Sequence, residues 1–186
     1  TEEAVVAKFK IKRLKDYKID TAENTYILAW TTTPWTLPGN VALAVGESIN
    51  YVLVKTIDGE HLILARERLG SVIPDGGYEI IQEMKGSSLV GLEYEPLFDI
   101  PAIRETGKKA WYVTTADFVT TEEGTGVVHT AVVYGEDDYN LGLKVGLPVV
   151  PLLNDAGHFN EFAPELIRGE YFKKSEKFIK DDLENR

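Results

Sequence analysis

The apolar runs in this chain are short, and most end within a few residues of a glycine, a proline or an Asn/Asp turn former. Such runs are too brief for ordinary helices and suit strands of roughly four to eight residues. Residues 5–12 (VVAKFKIK) set Lys8, Lys10 and Lys12 against Phe9 and Ile11, the period of two expected of a strand with one wet face. Residues 25–32 (TYILAWTT) form a β-branched and aromatic run of the kind that is buried. Residues 50–56 and 60–65 flank Asp58-Gly59, a hairpin signal. Further strands are expected at 78–83, 94–98, 110–116, 126–133 and 148–152. Helical patterning is confined to 65–72, to 136–145, which opens on Glu136, Asp137 and Asp138, and to 175–184, where Ser175 is a candidate cap and Phe178, Ile179 and Leu183 share one side. The expected fold class is α+β, a mixed, mostly antiparallel, barrel-like β core with a few peripheral helices. No repeat, low-complexity tract or long linker divides the chain, so 1–186 is read as a single domain.

Composition excludes more than it selects. Cysteine is absent, which removes disulfides, a thiol nucleophile and Cys-ligated zinc. No stretch of 18 apolar residues suggests a membrane span. The start, Thr1-Glu2-Glu3, is acidic where a secretory leader is basic, and the one methionine is Met84. The chain reads as excised from a longer protein or processed, and the expected setting is cytoplasmic. The formal charge of −10 has the wrong sign for a domain that grips nucleic acid unaided.

Common catalytic signatures are missing. There is no GxxxxGK[ST] phosphate loop and no GxSxG elbow. Residues 124–129 (GTGVVH) put His129 where a dinucleotide fingerprint needs its third glycine. His61, His129 and His158 are far apart in sequence, so no metal site is expected; His158 reads as a turn residue.

Two segments remain. Trp30 to Asn40 (WTTTPWTLPGN) gathers four threonine hydroxyls, two indoles and an amide behind a strand that Pro34 and Pro38 must end. The same residues suit a plain turn whose threonines bond their own backbone. Gly124 to Ala131 (GTGVVHTA) is followed by Gly135 to Tyr139 (GEDDY), which sets small residues before His129 and an acid at a helix start. Taken singly, such a histidine is usually structural and such an acid usually a cap.

As a pair, the two segments resemble the editing domain inserted in class I aminoacyl-tRNA synthetases for aliphatic amino acids. Thr31–Asn40 matches the family's threonine-rich peptide, and Gly124–His129 and Gly135–Tyr139 match its GTG-x-V-H and G-x-D-D-Y segments. The valine and leucine branches carry arginine where this chain has Thr33, so the peptide looks like the isoleucine branch. One departure is Ala131, where the family often has proline; it leaves the path of the loop before Asp138 open. The HIGH and KMSKS signatures of the synthetic core are absent from the chain.

The resemblance implies hydrolytic proofreading of valine mischarged onto the isoleucine tRNA, with an oriented water and no covalent intermediate. The partners it implies are the 3′-terminal aminoacyl-adenosine, its valine moiety and the remainder of the synthetase. It implies no cofactor here, since ATP and magnesium belong to the synthetic core. By resemblance, Asp138 binds the amino acid's ammonium, and His129 is either the wall that excludes isoleucine or a neutral core histidine. Thr31, Thr32 and Thr33 present hydroxyls to the water and the ester. Trp35 packs on the adenosine, closes the pocket or belongs to the core, and Asn40 binds substrate or fixes the loop. A non-catalytic module for aminoacyl-adenosine and a purely structural insert are the rival readings.

Overall fold

The computed structural model describes residues 4–12, 24–73, 76–132 and 136–186. Thr1 to Glu3, Val133 and Gly135, used above, lie outside the described residues. The elements in chain order are β1 (Val5–Lys10), β2 (Thr25–Thr31), a 3-10 segment (Pro34–Gly39), β3 (Ala42–Val45), β4 (Asn50–Thr56), β5 (His61–Ala65), the single turn α1 (Leu69–Val72), β6 (Tyr78–Lys85), the single turn α2 (Pro101–Arg104), β7 (Tyr112–Thr115), β8 (Val127–Thr130), α3 (Glu136–Val145) and α4 (Phe172–Glu184). Among the described residues, no helix is long and apolar enough to cross a membrane.

The strands form one sheet in the order β6-β4-β5-β2-β8-β3-β7, with β1 on β2. Four pairings are antiparallel (β1/β2, β3/β8, β4/β5, β4/β6) and three parallel (β2/β5, β2/β8, β3/β7). The sheet is therefore mixed, as expected, with a larger parallel share than hairpin signals alone imply.

β2 is the hub. Its residues Tyr26–Thr31 pair along one edge with β1, so the other edge is divided: Thr25–Ile27 pair with β5, and Trp30 pairs with Val128 of β8. Between these partners the carbonyl of Leu28 would lack a strand neighbour. The Thr125 hydroxyl donates to it at 2.7 Å, and the Ala65 amide donates to the Thr125 carbonyl at 2.8 Å. Both flanking residues of Thr125 must be glycine. Gly124 and Gly126 have φ of 73° and 78°, and a Cβ on Gly126 would lie 2.3 Å from the Ala65 Cβ. The run GTG thus fills the wedge where β5 and β8 part.

Strand 5–12 behaves as its alternation predicts, with Ala7, Phe9 and Ile11 buried. Asp58-Gly59 turns β4 into β5, with Gly59 at φ 85°. Three expectations need correction. Residues 94–98 make only the bridge Ile11–Tyr94, and 148–152 form no strand, because Pro96, Pro148 and Pro151 remove ladder donors. β3 was not expected: all four of its residues are buried, so it carries no alternation to read. Ser175 is not a cap; α4 begins three residues earlier, and the buried Ser175 hydroxyl donates to the Phe172 carbonyl at 2.6 Å.

The core runs along the sheet through Phe9, Ile27, Leu43, Tyr51, Leu53, Ile63 and Tyr94, all fully buried. Trp35 packs on Phe172 of α4, ring centroids 4.7 Å apart, which fastens the 3-10 segment to that helix.

Candidate functional site

β2 ends at Thr31, and the chain cannot continue as a strand because Pro34 has no amide to give. The Thr31 hydroxyl instead accepts the Thr33 amide at 3.0 Å, and the Thr36 hydroxyl donates to the Thr33 carbonyl at 2.8 Å. This tight turn stacks hydroxyls: Thr31 and Thr33 are 3.3 Å apart, Thr33 and Thr36 3.5 Å. Opposite stands β8, which pairs with β2 through Val128 and with β3 along its length. After β8, the amide of Ala131 donates to Asp138 Oδ2 at 3.0 Å. That bond pins the first turn of α3 beside the end of β8, two residues beyond His129.

A cavity of about 340 Å³ lies between these pieces, at the small end of the range usual for small-molecule sites (roughly 300–1,000 Å³). Its walls include Thr31, Thr32, Thr33, Thr36, His129 and Asp138, together with Trp30, Phe118, Thr120, Glu123 and the run from Gly124 to Val128. A larger groove of about 940 Å³ between β1 and α4 contains none of the candidate residues. Among the described residues, no three His, Asp or Glu side chains gather to hold a metal ion.

Asp138 is partly buried, and burial pushes its pKa up to about 6; the Ala131 amide opposes the shift and the charge of Asp137 adds to it. At neutral pH it is mostly ionised, and Oδ2 is the oxygen that the backbone occupies. His129 is buried, and burial pushes its pKa down to about 4, opposed in part by its hydrogen bond at Thr36. Nε2 lies 2.8 Å from the Thr36 hydroxyl, and Nδ1 lies 2.8 Å from the Asn40 amide nitrogen. With both nitrogens engaged, the ring cannot serve as a general base without breaking this network. It can serve as a fixed wall.

Of the residues singled out in the sequence, Thr31, Thr32, Thr33, His129 and Asp138 share the cavity. Trp35 and Asn40 do not line it: Trp35, half-buried, packs against Phe172, and Asn40, 3% exposed, lies behind His129. Ala131 supplies the backbone amide that holds Asp138, which a proline at that position would lack. Sequence reasoning missed Glu123, Phe118 and Thr120 in the cavity wall, and Tyr94 and Trp111 behind Asn40. A buried Tyr or Trp needs a partner for its polar tip, but nothing in the sequence says which of nine tyrosines that is.

No protein-family profile matches the chain. Relatives align over most of it. It is 49% identical over 164 residues to the isoleucine–tRNA ligase of Clostridium acetobutylicum, covering 88% of this chain and 15% of that protein. It is 52% identical over 143 residues to that of Clostridium tetani, covering 77% and 13%. It is 46% identical over 173 residues to that of Bdellovibrio bacteriovorus, covering 91% and 16%. The chain thus spans about 15% of the length of such relatives. Its fold is that of GlLeuRS-CP1, with a TM-score of 0.75 at 14% identity over 98% of this chain and 96% of that one. The P. knowlesi cytosolic leucyl-tRNA synthetase editing domain superposes with a TM-score of 0.71 at 15% identity, covering 98% and 93%.

Proposed function

Since the chain belongs to the isoleucine–tRNA ligase family over the segment it spans and has the fold of a synthetase editing domain, we propose that it hydrolyses valine mischarged onto the isoleucine tRNA. The observation that supports this best is the convergence of three threonines, a neutral histidine and a carboxylate on one small cavity.

A synthetic site that distinguishes isoleucine from valine has one methylene to work with, worth ~1–3 kcal/mol, a limit for which this enzyme family is itself the standard illustration. A second cavity that admits only the smaller side chain removes the error. Asp138 receives the ammonium of the esterified amino acid by a charge-assisted hydrogen bond, with the Ala131 amide steadying the carboxylate. The ring of His129 stands against the side chain and collides with the added methylene of isoleucine. The hydroxyls of Thr31, Thr32 and Thr33 orient a water towards the ester carbonyl, which is activated enough for a positioned water to attack without an acyl-enzyme. Hydroxyl groups are poor bases at neutral pH, so the attacking water loses its proton late, to the ester's own leaving oxygen or to solvent. Trp35 and Asn40 act from behind, holding the threonine turn and His129. The remaining synthetase and the tRNA body supply the affinity that a domain of charge −10 lacks. The reaction needs no cofactor, and a cytoplasmic setting goes with the family.

The test is multiple-turnover release of valine from mischarged isoleucine tRNA, or from a valyl-adenosine ester, by the purified chain. Turnover that Asp138→Ala abolishes in a folded protein supports the proposal. Binding of the ester without turnover would leave a recognition module in its place.

A further inference from the structure

Asn40 makes five polar contacts, three of them through a side chain that does not line the cavity. Its amide donates to the Leu37 carbonyl at 3.0 Å, and its carbonyl accepts the Trp111 indole N–H at 3.0 Å. The side-chain nitrogen donates one hydrogen to the Ala42 carbonyl at 2.9 Å and the other to His129 Nδ1 at 2.8 Å. The side-chain oxygen accepts the hydroxyl of Tyr94. Trp111 sits at φ 60°, a conformation rare for a non-glycine residue, and from it the indole reaches Asn40.

The pattern has one direction. The Ala42 carbonyl can only accept, so the NH2 end of the amide faces β3 and the oxygen faces Tyr94. Tyr94 is fully buried, and burial raises its pKa well above the ordinary value, so its hydroxyl stays protonated and can donate. The ring packs edge-on against Phe9 with centroids 5.1 Å apart, which fixes where the hydroxyl points. Because Asn40 donates to Nδ1, that nitrogen must be the bare one, and the proton sits on Nε2. Nε2–H then donates to the Thr36 oxygen, whose own hydrogen is already given to the Thr33 carbonyl. A single line of donors runs from Tyr94 through Asn40 and His129 to the threonine turn.

We propose that Tyr94 is a positioning residue: by holding the Asn40 amide it fixes the tautomer and the ring plane of His129, and so sets which aminoacyl side chain the cavity admits. The second half rests on the hydrolytic function above; the first does not. Tyr94 touches neither the cavity nor a reacting atom. Loss of its hydroxyl leaves the Asn40 oxygen without its donor; a turned amide regains one from an Nδ1–H tautomer of His129, at the expense of the bond to the Ala42 carbonyl. His129 Nδ1 then loses its donor, and the second tautomer becomes accessible.

The experiment is ¹⁵N NMR of the histidine side chains in the wild-type chain and in Tyr94→Phe, with near-ultraviolet circular dichroism as the fold check. In the same proteins, hydrolysis of valyl- and isoleucyl-adenosine esters is measured. The wild type is expected to show a single Nε2–H tautomer for His129. Tyr94→Phe is expected to show mixed tautomers and a valine-to-isoleucine rate ratio lower by about tenfold. An Nδ1–H tautomer in the wild type overturns the proposal without any variant. A folded Tyr94→Phe with the wild-type tautomer overturns it as well, whatever its activity. Mixed tautomers with an unchanged ratio overturn the selectivity half. If the wild type hydrolyses neither ester, the hydrolytic function fails, and the tautomer comparison alone decides the positioning role.

Discussion

The hydroxyl of Thr125 meets the carbonyl of Leu28 at 2.7 Å, at the point where β5 leaves the edge of β2 and β8 takes it over. A side chain there does the work of an absent strand. Thr125 also forms part of the cavity wall, so the joint of the sheet and the rim of the site are the same residue.

Thr125→Val keeps the shape and removes the donor. It leaves a buried carbonyl unpaired, which costs roughly 1–3 kcal/mol. Urea unfolding followed by circular dichroism should show that loss in the midpoint, with an unchanged slope. A midpoint equal to wild type would mean that another group satisfies Leu28.

Gly126→Ala should be worse. The added methyl meets Ala65 at 2.3 Å, and the backbone is left-handed at φ 78°. Left-handed strain of ~1–2 kcal/mol and overpacking of ~1–3 kcal/mol together give a loss of roughly 2–5 kcal/mol. Ala65→Gly in the same chain should recover the overpacking part and leave the strain. Thermal or urea unfolding of the single and double variants separates the two.

How far the sequence speaks can be judged at these joints. Alternation in 5–12 and the Asp58-Gly59 turn identify β1 and the β4–β5 hairpin, because local patterns encode local structure. β3 escapes, since a strand buried on both faces has no period. The threonine turn, His129 and Asp138 are recognisable as chemistry. What they share is not, because the turn and β8 lie about ninety residues apart and meet only in the folded sheet, where Thr36 reaches His129. The place of Asn40 and Trp35 behind the site depends on packing with Tyr94, Trp111 and Phe172, which no local pattern announces.

Under the proposed function, Asp138 should set an acid limit on activity. With a carboxyl pKa near 6, the proposed role of Asp138 as the ammonium's partner requires kcat/KM for a valyl ester to fall about tenfold per unit once the pH drops below that value, as the carboxylate is neutralised. Asp138→Asn should flatten the profile and lower kcat/KM at neutral pH by roughly ten- to a hundredfold, the weight of one hydrogen bond to a charged group. A wild-type profile level from pH 7 to pH 5 would contradict the assignment.

Stability should respond to pH through two groups of opposite sign. His129 has its pKa pushed from 6.5 to about 4 by burial, so the unfolded chain takes up its proton first and stability falls on acidification across that window. The slope from this group is at most about 1.4 kcal/mol per pH unit. Asp138 has its pKa pushed from 3.8 to about 6, so the folded chain holds the proton more tightly and stability rises on acidification across nearly the same window. Asp138→Asn should therefore steepen the acid loss between pH 6 and pH 4, and His129→Gln should make it shallower. Urea midpoints across that range are the measurement, and slopes that move together would refute the opposition.

The division of β2 between two parallel partners also governs when the cavity can exist during folding. The β4–β5 hairpin closes across a few residues, whereas the pairing of Trp30 with Val128 must bring together positions almost a hundred residues apart. Contacts of such separation form late, because the chain between them must be ordered first. A nascent or partly melted chain can hold hairpins and buried apolar surface and still have no site. Loss of the cavity is then the earliest sign of unfolding, and its chemistry is a property of the finished sheet.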